Sequence, residues 1–180
     1  YYIGNVDFDP GLGILNFSSS AASYDMFVSK FDANGNFKWA KSFGGPNTDL
    51  CRTLASDAVG NIYTPTFKLD TAGNYIWNTG GIFTGAGGQD PYAVAVDHRG
   101  NLFTVGWYNQ STGGPADMDP STNVFLLPAV NNEDIFIRKL DSNGNFVWAL
   151  GMGGNLYEYG NGIAVDAVGS VYTTGSFGGT

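Results

Sequence analysis

The chain has 180 residues, of which 43 % are hydrophobic and 15 % are aromatic, so its composition excludes a disordered polypeptide and allows a substantial core. Eight basic residues stand against 16 acidic ones, and the net charge of −8 argues against nucleic acid or an anionic membrane as a partner. With one cysteine, Cys51, and one histidine, His98, the chain offers no intrachain disulfide and no histidine-based triad or zinc site.

The opening residues and the hydropathy bear on the cellular location. No apolar run approaches the roughly 20 residues of a membrane-spanning helix, so we expect no membrane insertion. The start, "YYIGNVDF", has neither the basic nor the apolar region of a signal peptide. We therefore expect a piece of a longer protein, or a processed one.

The first motif in chain order is an acidic loop. "VDFDPGLG" (6–13) returns as "ADMDPSTN" (116–123), and each copy holds two aspartates one residue apart before a proline. Carboxylate oxygens at this spacing suit calcium, whereas Asp-Pro followed by a small residue is typical of a capped turn. We favour the turn, and the calcium hypothesis concerns Asp7, Asp9, Asp117 and Asp119. Glycosidase chemistry is disfavoured, because it needs two carboxyl groups opposed across a substrate.

Two further motifs alternate along the chain and predict β-hairpins. The first places an aspartate seven residues before a tryptophan, and the second places an aspartate six residues before an aromatic residue. Their copies are "FDANGNFKWA" (31–40), "LDTAGNYIWN" (69–78), "LDSNGNFVWA" (140–149), "ASDAVGNIYTPT" (55–66), "AVDHRGNLFTVG" (95–106) and "AVDAVGSVYTTG" (164–175). A glycine near each turn, between runs of alternating hydrophobicity, favours a hairpin whose aspartate caps backbone N–H groups.

The spacing of the motifs defines a repeating unit. Asp97 and Asp166 are 69 residues apart, which is one full unit, but Asp57 and Asp97 are only 40 apart. The chain divides into approximate units 1–45 (partial), 46–81 (shortened), 82–154 (full) and 155–180 (partial). We expect the shortened unit either to have lost its acidic loop and one strand, or to join segments that were not adjacent.

This organisation predicts an all-β fold with almost no helix. Four antiparallel strands per tandem unit describe the blade of a β-propeller, of which about three blades are represented. A β-sandwich and a β-solenoid built from the same hairpins are the alternatives. Because a propeller closes with about four to eight blades, we expect a longer array or other copies of the chain to complete it.

The repeat resembles a known family. "DMFVSKFDANGNFKWAKSFGG" (25–45), "DIFIRKLDSNGNFVWALGMGG" (134–154) and "YGNGIAVDAVGSVYTTGSF" (159–177) are similar to the bacterial SBBP, or seven-bladed β-propeller, repeat. The resemblance implies a secreted or cell-surface bacterial protein whose repeats serve as a scaffold or interaction surface. It implies no catalytic chemistry.

The aromatic residues suggest where a ligand could bind. Trp39, Trp77 and Trp148 recur once per unit, which favours packing between blades. Trp107 breaks the repeat by following Gly106 where Ser176 follows Gly175, so Trp107 and Tyr108 are the candidate ligand surface. His98 is interpreted as a solvated turn residue.

The sequence therefore predicts a non-enzymatic, extracellular structural or adhesive repeat module. One alternative is a calcium-dependent or glycan-binding module, and another is a subunit of an extracellular filament or sheath. The expected partners are neighbouring repeats of the same or identical chains, and glycans or other surface proteins. Calcium is the one cofactor considered.

Overall fold

A computed structural model describes residues 1–20, 23–79, 88–110, 114–128 and 132–178. These residues form 16 strands, and every strand pairing is antiparallel. Over these ranges the chain has no helix, and so none that is long and apolar enough to cross a membrane. The predicted all-β class is confirmed.

The chain divides into two compact units, Tyr1–Arg52 and Thr53–Thr180. The first unit holds two hairpins, formed by β1 (Asn5–Asp7) with β2 (Asn16–Ser18) and by β3 (Met26–Phe31) with β4 (Phe37–Phe43). An isolated bridge between Tyr2 and Asp25 links the two hairpins.

The second unit holds four sheets. The first contains β5 (Ala55–Ser56), β6 (Ile62–Tyr63), β7 (Phe67–Leu69) and β8 (Tyr75–Asn78). The central sheet contains β9 (Gln89–Val96), β10 (Leu102–Tyr108), β13 (Asp134–Leu140) and β14 (Phe146–Met152). Two-stranded sheets are formed by β11 (Ala116–Asp117) with β12 (Leu126–Leu127), and by β15 (Tyr159–Val165) with β16 (Val171–Ser176).

The central sheet is a complete four-stranded blade. Its strands lie in chain order, since β9 pairs with β10, β10 with β13, and β13 with β14. The β11–β12 hairpin, which carries the second acidic loop, is inserted between the second and third strands.

The shortened unit corrects one expectation. It keeps all four strands, β5 to β8, so the prediction that it had lost a strand is wrong. A tight turn joins its second and third strands: the backbone N–H of Thr64 donates to the Phe67 carbonyl at 2.9 Å, and the Phe67 N–H donates to Thr64 Oγ1 at 3.1 Å. The complete blade has the long connection 109–133 at this point, and this connection accounts for the length that the shortened unit lacks. A hydrogen-bonded turn can replace it without loss of a strand.

Side chains on both faces of the central sheet are buried against neighbouring sheets. On one face Leu102 and Leu140 form a cluster with Val94 and with Tyr63 of the first sheet. On the other face a second cluster packs against the β15–β16 pair; it contains Val105, Ile135 and Ile137, with Ile163 and Val171 against them. Three sheets of the second unit thus stack face to face, as consecutive propeller blades do.

Candidate functional site

One aspartate organises each of six hairpin turns. In every copy its backbone N–H donates to the residue four positions on, and a glycine N–H donates back to its carbonyl. Its Oδ1 also accepts the backbone N–H groups two and four positions on. The six residues are Asp32, Asp57, Asp70, Asp97, Asp141 and Asp166. The prediction that these aspartates cap turns is confirmed, and His98, in the turn of Asp97, is exposed.

These hydrogen bonds stabilise the charged carboxylates. At Asp97 partial burial acts to raise the pKa, but the bonds from the Asn101 side chain and from the Asn101 and Arg99 backbone outweigh it, and the pKa is lowered. At Asp32 the bonds from Asn36 and Lys38 lower the pKa far below the usual range. Asp32 and Asp97 are therefore ionised at neutral pH.

The acidic hairpin of the second unit is held by the same chemistry. Asp117 Oδ1 accepts the backbone N–H of Asp119 at 3.1 Å and that of Phe125 at 2.8 Å. Asp119 Oδ1 accepts the N–H of Ser121 at 2.9 Å. Both aspartates are more than nine-tenths buried.

The first unit repeats this arrangement. Asp7 Oδ1 accepts the N–H groups of Asp9 at 3.0 Å and Leu15 at 2.9 Å, and Asp9 Oδ1 accepts that of Gly11 at 2.8 Å. The bonds from Leu15 and Asp9 lower the pKa of Asp7. The paired aspartates thus cap and brace the loop, as the favoured interpretation predicted.

The calcium hypothesis for the same four aspartates stays a prediction. Across the part of the chain that the structure describes, no group of three or more His, Cys, Asp or Glu side chains is placed to hold a metal ion. Calcium takes about six to eight oxygen ligands, so backbone carbonyls and water would have to complete the site.

Behind the acidic hairpin lies a buried cation that the sequence analysis did not single out. The Arg138 side chain is fully buried, and its Nη2 donates to the Pro65 carbonyl oxygen at 2.8 Å, in the turn of the first sheet. Burial lowers the pKa of Arg138 to about 9, whereas the Asp119 carboxylate raises it, so the guanidinium is charged at neutral pH. Arg138 therefore connects the acidic hairpin, the central sheet and the first sheet.

The two residues of the predicted ligand surface, Trp107 and Tyr108, lie on opposite faces of β10. Tyr108 is 2 % exposed, and its hydroxyl donates to the Pro128 carbonyl oxygen at 3.1 Å, so its assignment to a surface is wrong. Alternation along β10 places Tyr108 on the buried face under the acidic hairpin, beside Met118 and Phe136. Burial raises its pKa to about 12. Trp107 points to the other face and is half-buried, and its role as a ligand contact stays a prediction.

Trp77, one of the repeated tryptophans, packs between two sheets. Trp77 Nε1 donates to the Ser142 carbonyl oxygen at 3.1 Å, and its ring lies against Gly144, where an added Cβ would come within 2.9 Å of Trp77 Cδ2. Trp148 packs against the Val105, Ile135 and Ile137 cluster. The expected packing between blades is confirmed for Trp77, whereas for Trp148, whose cited contacts lie within its own sheet, it stays a prediction.

A pocket of about 420 Å³ opens beside the acidic hairpin. Three elements of the second unit line it: the end of β8, the acidic loop and the β13–β14 turn. The lining residues are Trp77, Asn78, Thr79, Asp119, Pro120, Ser121, Asn123, Asn143, Gly144, Asn145 and Phe146. Sequence reasoning missed this site because its walls are up to 69 residues apart in the chain.

No family model matches the chain. It is similar to an uncharacterised WD repeat-containing protein of Acanthamoeba polyphaga mimivirus, with 29 % identity over 135 residues. The match covers 75 % of this chain but only 10 % of the viral protein, so the chain spans about a tenth of that relative. Since WD repeats form four-stranded propeller blades, the similarity agrees with the stacked sheets described above.

Proposed function

We propose that the chain is a non-enzymatic repeat module that provides a structural and adhesive surface for a larger, secreted or cell-surface protein of the bacterial SBBP type. The observation that carries the proposal is that the acidic side chains form hydrogen bonds within the fold. All six turn aspartates and both acidic pairs accept backbone hydrogen bonds, so these carboxylates build a repeating frame.

The stacked sheets and the distant WD repeat relative support the same proposal. Repeat arrays of this kind present broad, rigid surfaces, and WD repeat similarity is consistent with a scaffold for interactions. The net charge of −8 keeps the surface repulsive to nucleic acid and anionic lipid.

Location and adhesion can be tested together. An antibody raised against the chain should label intact cells of the source organism as strongly as permeabilised cells. Beads coated with the folded chain should attach to those cells, and beads coated with the thermally unfolded chain should not. Labelling only after permeabilisation would contradict the surface location, and equal attachment by both kinds of bead would contradict a specific adhesive role.

A second candidate, a filament or sheath subunit, is favoured by one sheet edge. Within the described ranges, β16 (Val171–Ser176) pairs on one side only, with β15, and most of its residues are exposed. An unpaired strand edge is a template for a strand of another chain. Light scattering and negative-stain microscopy should then show concentration-dependent growth, which proline at Thr173 would block by adding a ring at the edge. A monodisperse monomer would contradict the filament.

A further inference from the structure

We propose that the pocket between the acidic hairpin and the β13–β14 turn binds a hexose unit of a neutral oligosaccharide. The inference rests on the proposed function, since it supplies the ligand class of an adhesive module. The three lining elements belong to the same compact unit, so the described structure forms the pocket as a whole.

Two side-chain amides are available to a ligand. In the β13–β14 turn the Asn145 amide donates to Asp141 Oδ2 at 2.9 Å and serves the turn itself. The side chains of Asn143 and Asn123 are exposed, and neither makes a hydrogen bond to another described residue. Each amide carries both donors and an acceptor, which matches the hydroxyl groups of a sugar.

A fixed carboxylate supplies an acceptor at the same wall. Asp119 Oδ1 is held by the Ser121 N–H at 2.9 Å, and Arg138 lies behind the carboxyl group in the core, so this acceptor is fixed in orientation. None of the described residues that line the pocket is Lys, Arg or His. The pocket therefore disfavours phosphorylated, sulfated or carboxylated sugars and suits a neutral one.

The aromatic part of the lining completes the match. Trp77 and Phe146 provide apolar surface, on which the C–H face of a hexose ring can pack. Phe146 is itself braced by Phe125 of the acidic hairpin, with ring centroids 4.8 Å apart. The volume of about 420 Å³ lies within the range of about 300–1,000 Å³ that is usual for small-ligand sites.

A cation would be a poorer occupant. Asp119 is the one carboxylate among the lining residues that the structure describes, and a calcium ion needs several oxygen ligands of high charge. A single carboxylate among neutral amides instead accepts hydroxyl donors, each bond gaining strength from the charge.

The test uses isothermal titration of the whole chain with cellotriose, maltotriose and mannotriose. At least one of these trisaccharides should bind and shift the tryptophan emission. Asn143→Ala and Asp119→Asn should each weaken that binding about tenfold, because each removes one hydrogen bond to the sugar. Asn34→Ala is the matched control, since Asn34 holds the same position in the turn of Asp32, and it should leave binding unchanged.

Each variant keeps its backbone hydrogen bonds, so the melting temperature of Asn143→Ala should equal that of the native chain. Absence of binding by all three sugars, or equal binding by Asn143→Ala and Asn34→Ala, would overturn the proposal. So would binding of a protonated glucosamine trimer alone, because that result would report only the charge of Asp119. Intact bead attachment without sugar binding would refute the pocket alone, whereas sugar binding without attachment would refute the adhesive function alone.

Discussion

Among single residues, the turn aspartates differ mainly in their exposure to solvent. Asp97 is 7 % exposed and accepts three hydrogen bonds, two from backbone N–H groups and one from Asn101 Nδ2 at 2.7 Å. Asp166 makes the corresponding backbone bonds at a more exposed turn. Donors left without an acceptor are costly only where water cannot reach them.

Asp97→Ala should therefore lower the free energy of unfolding by about 2 kcal/mol at neutral pH. Asp166→Ala, the matched control, should lower the free energy of unfolding by clearly less than Asp97→Ala does, because water can satisfy the freed donors. Urea unfolding followed by tryptophan fluorescence measures both changes. Equal losses of unfolding free energy would show that burial does not determine how much the turn stabilises the fold.

Gly106 is required by a close backbone approach. It lies at the irregularity between β9 and β10, and a Cβ at this position would collide with the carbonyl oxygen of Asp90 and come within 2.8 Å of Pro91 Cα. Gly106→Ala should cost about 1–3 kcal/mol, because the backbone of β9 would have to move. Gly45→Ala, where an added Cβ meets nothing within 4 Å, should be close to neutral. Thermal unfolding of the two variants compares them directly.

Among the larger elements, the acidic hairpin of the second unit is part of the blade core. Met118 is fully buried among Tyr108, Leu127 and Phe136. Met118→Ala should lower the free energy of unfolding by about 2–5 kcal/mol, as a cavity in a packed core does. Leu12→Ala changes a fully exposed side chain in the acidic hairpin of the first unit and should have little effect. A small loss for Met118→Ala would show that the hairpin is only loosely attached.

Calcium can be tested on both acidic hairpins at once. Asp7 Oδ1 and Asp117 Oδ1 each already accept two backbone N–H groups, so a metal would have to compete with bonds that shape the loop. We expect the melting temperature in millimolar calcium to equal that in excess chelator. A rise that disappears in Asp117→Asn would instead support the calcium hypothesis for Asp117 and Asp119.

The hairpins could be predicted because their determinants are local. An aspartate, a glycine at positive φ and an alternating run lie within about ten residues of one another, as at Asp141 and Gly144 (φ 86°). The four strands of the shortened unit could not be predicted from the sequence. A turn at Thr64 replaces the long connection between its second and third strands, and the missing length suggested that a strand was lost.

The pocket and the burial of Tyr108 depend on long-range packing. Trp77, Asp119 and Asn143 meet only after three elements are assembled, and no spacing along the chain relates them. Tyr108 looked like a surface residue because it follows Trp107, which interrupts the repeat, yet the hairpin inserted after β10 covers it. A departure from the repeat can therefore mark a residue that supports the acidic hairpin and not a ligand contact.

Over the whole molecule, the turn aspartates make the stability of the fold depend on pH in the acidic range. Partial burial acts to raise the pKa at Asp57, Asp97 and Asp141, but hydrogen bonding outweighs it there. The pKa is lowered in Asp32, Asp57, Asp97, Asp141 and Asp166. In the unfolded chain these groups titrate near about 3.9, so between that value and their lower folded values the unfolded state binds more protons. Their stabilisation is fully present above the unfolded pKa and is lost as the pH falls towards the folded values.

The urea midpoint should therefore change little, through these carboxylates, from about pH 7 to about pH 5, and should fall progressively below about pH 4. Asp97→Ala should show a shallower fall, because one of the linked carboxylates is gone, while Asn34→Ala should follow the native curve. A midpoint that stayed constant down to about pH 2 would contradict a frame held by ionised turn aspartates. Because the same turn closes hairpins in both compact units, each unit should lose stability over the same acidic range.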